Sequence, residues 1–212
     1  MHTIIEVGYL LATLSFIGGL KFMSSPKRAK TGNLIAAIGM ILAVVLAFAG
    51  AYTGVVPALN LIVLGVAVLA GTILGKRMAD KVPMTEMPQM VSIFNATGGG
   101  CAMLLGLVEA NQVEFSSANQ TSLILMVVGM VTGAIAFSGS ILAERKLSGK
   151  VKDNRKMMTV LTARFLLISL IVLPVLFFFG FLPLGIIPFM YLLAAIALVY
   201  GVLFVLPIGG AD

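Results

Sequence analysis

Between Met78 and Ala110 the chain reads MADKVPMTEMPQMVSIFNATGGGCAMLLGLVEA, and its polar residues are few enough to weigh one by one. Asp80, Lys81 and Glu86 precede an apolar stretch, Met90 to Val108, that holds no ionisable group except the Cys101 thiol. Water at one end and hydrocarbon at the other explain that contrast. Asn95 falls roughly 10 Å beyond Pro88 at about 1.5 Å per residue, a depth at which an unpaired amide is expensive. Two roles fit it. The amide can bond a neighbouring helix, for on the order of 1 kcal/mol, or it can line a polar route, since polar groups at membrane depth mark ion paths. Ser92, Asn95, Gly99, Ala102 and Gly106 recur at helical spacing and share one small, polar face. Thr85 is placed to cap this helix and Pro88 to occupy its first turn, where a missing N–H is harmless. Gly98 to Gly100 admit either close helix packing or a local hinge.

The rest of the chain must hold that helix in a bilayer. Of 212 residues 60% are hydrophobic and 10% charged, with a mean hydropathy of +1.12, which excludes a water-soluble globule. The expected fold is all-α, a polytopic transmembrane helix bundle of about seven helices forming one transmembrane domain over residues 1–212. Spans are predicted at about 4–23, 34–52, 57–75, 88–109, 121–143, 158–179 and 184–205. Glu6 lies inside the first apolar run and no basic segment precedes it, so this run reads as a first transmembrane helix, not a cleaved signal. A single cysteine, Cys101, excludes an intrachain disulfide and a multi-cysteine metal cluster, and reads as a small buried hydrophobe.

Charge sets the orientation. Lys and Arg cluster in the first, third and fifth connections, at 21–30, 76–81 and 145–156, while the second and sixth carry no charge and the fourth only acidic residues. The N-terminus is therefore expected outside and the C-terminus in the cytoplasm. The same distribution accounts for a pI near 9.7 without any nucleic-acid partner; the partner it implies is membrane lipid. Arg164, two turns inside the sixth span, can snorkel to the basic side or serve as a charge partner for the interior.

A second small stripe, Gly129, Thr132, Gly133, Ala136 and Ser140, lies on the fifth span, and the third offers Gly71-x-x-x-Gly75. Simple bundle packing explains each alone. Two facing stripes, one holding Asn95, would instead enclose a narrow solvated path. No His, Asp or Glu lies in the middle of any predicted span, so proton movement would need a titrating group from a partner or from interface carboxylates such as Glu86 or Asp212. G-x-G-x-x-G, Walker and H-E-x-x-H patterns are missing, so no cofactor or metal is expected on this chain itself. A secondary transporter or ion channel is the rival function, because glycine-interrupted helices also build substrate sites; a purely structural anchor is a third.

The run Lys81-Val-Pro-Met-Thr-Glu-Met-Pro88, followed by an apolar helix with a polar residue at 95, closely resembles the β-subunit membrane domain of proton-translocating NAD(P) transhydrogenase. Gly133-Ala-Ile-Ala-Phe-Ser-Gly-Ser140, the basic loop after Ala143 and the ending Ile208-Gly-Gly-Ala-Asp212 agree with that family. The resemblance implies a proton-conducting domain that couples proton movement to hydride transfer between NADH and NADP, both bound elsewhere. It implies an α subunit with membrane helices and an NAD domain, a soluble NADP domain further along the β chain, a dimer of α/β units and a place in the cell inner membrane. Asn95, Ser92, Gly99, Thr132 and Ser140 become candidates for the proton path, and Glu86 and Asp212 for coupling at the cytoplasmic mouth, where Glu86 can equally serve only to complement a helix N-terminus. Some family members carry a histidine at the position of Asn95, so the protonatable group is expected elsewhere, on a partner helix. Family sequences also continue past I-G-G-A-D, so this chain is expected to be partial and inactive alone in hydride transfer.

Overall fold

A computed structural model of the protein describes residues 2–25, 27–53, 58–112, 120–151 and 157–208. They form seven α-helices: α1 (His2–Met23), α2 (Ala29–Thr53), α3 (Ala58–Lys81), α4 (Met87–Gln112), α5 (Gln120–Leu147), α6 (Met157–Phe178) and α7 (Ile186–Val205). No strand occurs among the described residues, and all seven helices are long and apolar enough to cross a membrane, as the sequence predicts.

Several helices outrun the predicted spans. α2 begins at Ala29, α3 continues to Lys81 and α5 to Leu147. Charged residues end an apolar run, but Lys, Arg, Met and Ala are strong helix formers, so the backbone ladder continues out of the hydrocarbon. The start of α4 also differs from expectation. A single 3₁₀ turn, Met84–Glu86, leads into it from Pro83, which is extended (φ −68°, ψ 156°) and supplies no side-chain cap. Thr85 lies inside this turn instead of capping a helix, and the Glu86 N–H closes the turn by donating to the Pro83 carbonyl at 2.9 Å. Pro88 does occupy the first turn of α4.

The chain divides into two compact units, Met1–Lys81 and Val82–Asp212. In the first, α1 and α2 form a hairpin whose buried residues, among those described, are all small: Gly8, Ala12, Gly19, Gly32 and Gly39. At the crossing a Cβ on Gly19 would stand 2.9 Å from the Gly32 carbonyl oxygen, and one on Gly32 would stand 2.6 Å from that of Gly19. Only glycine permits this approach. α3 buries none of its described residues, and a Cβ on Gly71 or Gly75 would meet nothing within 4 Å.

In the second unit the core lies against α7, which buries Phe189, Met190, Leu193, Ala194, Ala197, Tyr200 and Gly201 at the spacing of one helix face. α5 packs on that face through Met130, Ala134 and Ser138, and α6 through Ala163, Leu170 and Phe177. The Phe177 and Phe189 rings stack with centroids 3.9 Å apart. At the α5–α7 crossing a Cβ on Gly201 would lie 2.6 Å from the Ile135 carbonyl oxygen and would collide with Ser138 Oγ. α5 and α6 each end on a left-handed glycine, Gly149 (φ 72°) and Gly180 (φ 78°). In both, the next residue donates to a carbonyl five residues back, Lys150 to Arg145 at 2.9 Å and Phe181 to Leu176 at 3.0 Å, which satisfies carbonyls the helix leaves open.

Candidate functional site

The seam between α4 and α5 has a polar half and a dry half. At the end nearest the 3₁₀ turn Gln89 Nε2 donates to the Leu147 carbonyl at 3.2 Å. Farther in, Ser92 Oγ donates to the Ser140 carbonyl at 2.8 Å and Asn95 Nδ2 donates to Ser140 Oγ at 2.7 Å. Ser92, Asn95 and Ser140 thus meet, as their places on two facing stripes predict. Both bonds cross between helices, and Asn95 remains exposed on the outer side of the pair. Its amide oxygen accepts no hydrogen bond among the described residues.

Past Asn95 the seam closes. A Cβ on Gly99 would stand 2.7 Å from both the Gly133 carbonyl oxygen and the Phe137 nitrogen, and a Cβ on Gly133 would stand 2.7 Å from the Gly99 oxygen and the Met103 nitrogen. Where a methyl does not fit, neither does water. Gly106 continues the contact, since a Cβ there would lie 2.6 Å from Met130 Cβ. Gly99 therefore lies in closed backbone contact, and a wet route through Asn95 would have to follow the exposed face of the pair. Gly98 and Gly129 face open space, so only part of each glycine pattern is used in packing. Cys101 is exposed on α4, not buried as its size suggested.

Thr132 is not brought to this cluster. Its hydroxyl turns back to the Val128 and Gly129 carbonyls at 2.8 and 3.1 Å, beside an apolar cavity of about 450 Å³ between α5 and α6. Glu86 is exposed in the 3₁₀ turn and forms no ion pair among the described residues. Asp212 lies outside the described residues. Arg164 is exposed at the edge of a cavity of about 270 Å³ between α6 and α7, with Tyr200 and Ile208 in the same lining and no carboxylate there. No three His, Cys, Asp or Glu side chains gather among the described residues in a way that could hold a metal.

Sequence reasoning missed Lys146, which it counted among the loop cations that set orientation. The side chain is 9% exposed, and Nζ donates to the carbonyls of Val205 at 3.1 Å, Leu206 at 2.6 Å and Ile208 at 2.6 Å. The signal was its place on α5, seven residues and so two turns beyond Gly139, whose added Cβ would contact Val205 at 3.2 Å.

Seven membrane-length helices, with glycine crossings inside each unit and polar side chains bridging one seam of the second, define a multi-pass membrane protein. The family described as NAD(P) transhydrogenase beta subunit matches residues 5–212, and the chain belongs to it. The NAD(P) transhydrogenase subunit beta of Rhodospirillum rubrum is 33% identical over 156 residues, covering 71% of this chain and 32% of that protein. The corresponding protein from a named strain of the species gives the same figures. The alignment thus takes in about a third of the length of these relatives.

Proposed function

We propose that this chain is the proton-conducting membrane domain of an NAD(P) transhydrogenase, coupling transmembrane proton movement to hydride transfer between NADH and NADP at soluble domains. NAD binds on an α subunit and NADP on a soluble domain of the β chain; this chain binds neither, and alone it transfers no hydride. The α subunit also supplies membrane helices, and the α/β unit pairs in the cell inner membrane with the N-terminus of this chain outside and residue 212 on the cytoplasmic side, as the distribution of Lys and Arg favours.

The observation that carries this reading is the Ser92–Ser140–Asn95 cluster. Its amide oxygen is open on an exposed face at membrane depth, where a polar group needs protein or water beside it. Asn95 has no titratable proton, so it orders a relay and does not hold the charge. The group that titrates belongs to a partner helix, and Glu86 and Asp212 sense the docked NADP domain at the cytoplasmic mouth. A binding event there biases a two-state element that also controls the path.

The test uses the full-length β chain with its partner subunit in sealed vesicles, following internal pH while hydride passes from NADPH to an NAD analogue. Acidification that an uncoupler abolishes is expected. Hydride transfer without pH change in tight vesicles would reduce the domain to an anchor, and solute flux without hydride transfer would favour a transporter.

A further inference from the structure

Lys146 sits where α5 leaves the apolar part of the second unit, and its Nζ donates to the last carbonyl of α7, that of Val205, and to those of Leu206 and Ile208 just beyond it. The Val205 carbonyl also accepts the Ile208 N–H at 3.1 Å, but the last carbonyls of a helix form the negative end of its dipole, so a buried cation is well placed there. A buried polar clamp of this kind is weak evidence for stability, since an apolar side chain would fill the same space; what it adds is a fixed register between the helices it joins. Six residues back along α5, about 9 Å at helical rise, Ser140 receives the Asn95 amide. On the other side of the clamp the sequence runs from Ile208 directly into Gly-Gly-Ala-Asp212.

We propose that Lys146 is a positioning residue: it locks the exit of α7 to α5, so that displacement at that exit is transmitted along one rigid helix to the Ser140–Asn95 contact. Its part in coupling rests on the proton-path reading above, whereas the clamp itself does not. Gly139 and Gly201 bring α5 and α7 close enough for the lysine to reach, and the short Ser92 and Asn95 side chains make the far contact sensitive to small shifts of α5.

Two measurements test it. Amide hydrogen exchange is followed on the protein in lipid nanodiscs. Lys146→Met is expected to speed exchange across 202–208 at least about tenfold while leaving α4 unchanged, and Lys146→Arg to restore most of the protection. Unchanged exchange at 202–208 overturns the clamp, and a rise spread over every helix overturns it in favour of general fold support. In the full-length protein with its partner subunit in sealed vesicles, Lys146→Met is expected to lower the ratio of proton-coupled to uncoupled hydride exchange at least about fivefold, with Lys146→Arg recovering it. Equal fractional losses of both activities overturn the positioning role. An unsubstituted protein that moves no protons would instead refute the proton-path reading, and the clamp would still be decided by amide exchange.

Discussion

In the α1–α2 hairpin the helices meet at Gly19 and Gly32, and in the α4–α5 pair at Gly99 and Gly133; a Cβ on any of the four would fall 2.6 to 2.9 Å from the opposite carbonyl oxygen. The backbone device is the same, but the polar side chains beside it behave differently. On α1, Thr13 and Ser15 donate to the Tyr9 and Leu11 carbonyls of their own helix at 2.9 and 2.8 Å. On α4, Ser92, Asn95 and Gln89 reach across to α5. Close approach is therefore packing, common to both hairpins. Among the side chains just compared, the polar bridge is found in the second pair and marks it as the candidate site.

Placing bulk at the crossing would break the comparison at its base. Gly133→Leu is expected to destabilise the second unit by about 3 kcal/mol, seen as a loss of about 6–12 °C in Tm in detergent. Gly129→Leu, where an added Cβ meets nothing within 4 Å, should stay within about 0.5 kcal/mol. If both substitutions cost the same, the glycine pattern matters for a reason other than this contact. The bridge is sharpened by Asn95→Leu, expected to cut proton-coupled turnover on the order of tenfold while reducing stability by only about 1 kcal/mol. Ser15→Ala in the first hairpin should alter neither. A Tm loss for Asn95→Leu as large as that for Gly133→Leu would return the amide to packing.

A smaller change is expected at the mouth of the seam. Glu86→Gln should reduce proton-coupled turnover more than uncoupled hydride exchange, shifting their ratio about fivefold; equal losses would leave Glu86 as a charge that complements a helix start. Smallest of all, Gly180→Ala forces a side chain into a backbone with φ of 78° and should cost about 1 kcal/mol, read as a Tm shift of about 2–4 °C. No shift there would mean that the α6–α7 turn relaxes.

Apolar run length made all seven helices legible, because nothing else about a 20-residue apolar stretch competes with spanning. Their ends were not, since the charges of Lys76, Arg77 and Lys81 mark where hydrocarbon stops and not where hydrogen bonding stops. Helical spacing placed Ser92, Asn95 and Ser140 on facing stripes, and they do meet. The same spacing put Thr132 on the stripe of α5, yet its hydroxyl turns back to its own helix. Small-residue patterns also fail to tell used glycines from unused ones: Gly133 packs while Gly71, Gly75 and Gly129 do not, because a partner's position is not written in the motif. Lys146 was obscured by its neighbours, one cation among many in a basic loop.

The two crossings also differ in how far apart their partners lie along the chain, and this sets an order of assembly. At roughly 5–20 residues per second, synthesis from Thr53 to Leu147 takes on the order of ten seconds. The first hairpin can close in the bilayer while Ser140 is still inside the ribosome. For the last few seconds of that interval, between the synthesis of Asn95 and that of Ser140, Asn95 has no hydroxyl to receive it, and α4 must be held by the insertion machinery, by water at its rim or by another helix until α5 arrives. A synonymous codon that slows translation between these two helices would lengthen the exposure of a lone amide to hydrocarbon without altering a single residue of the product.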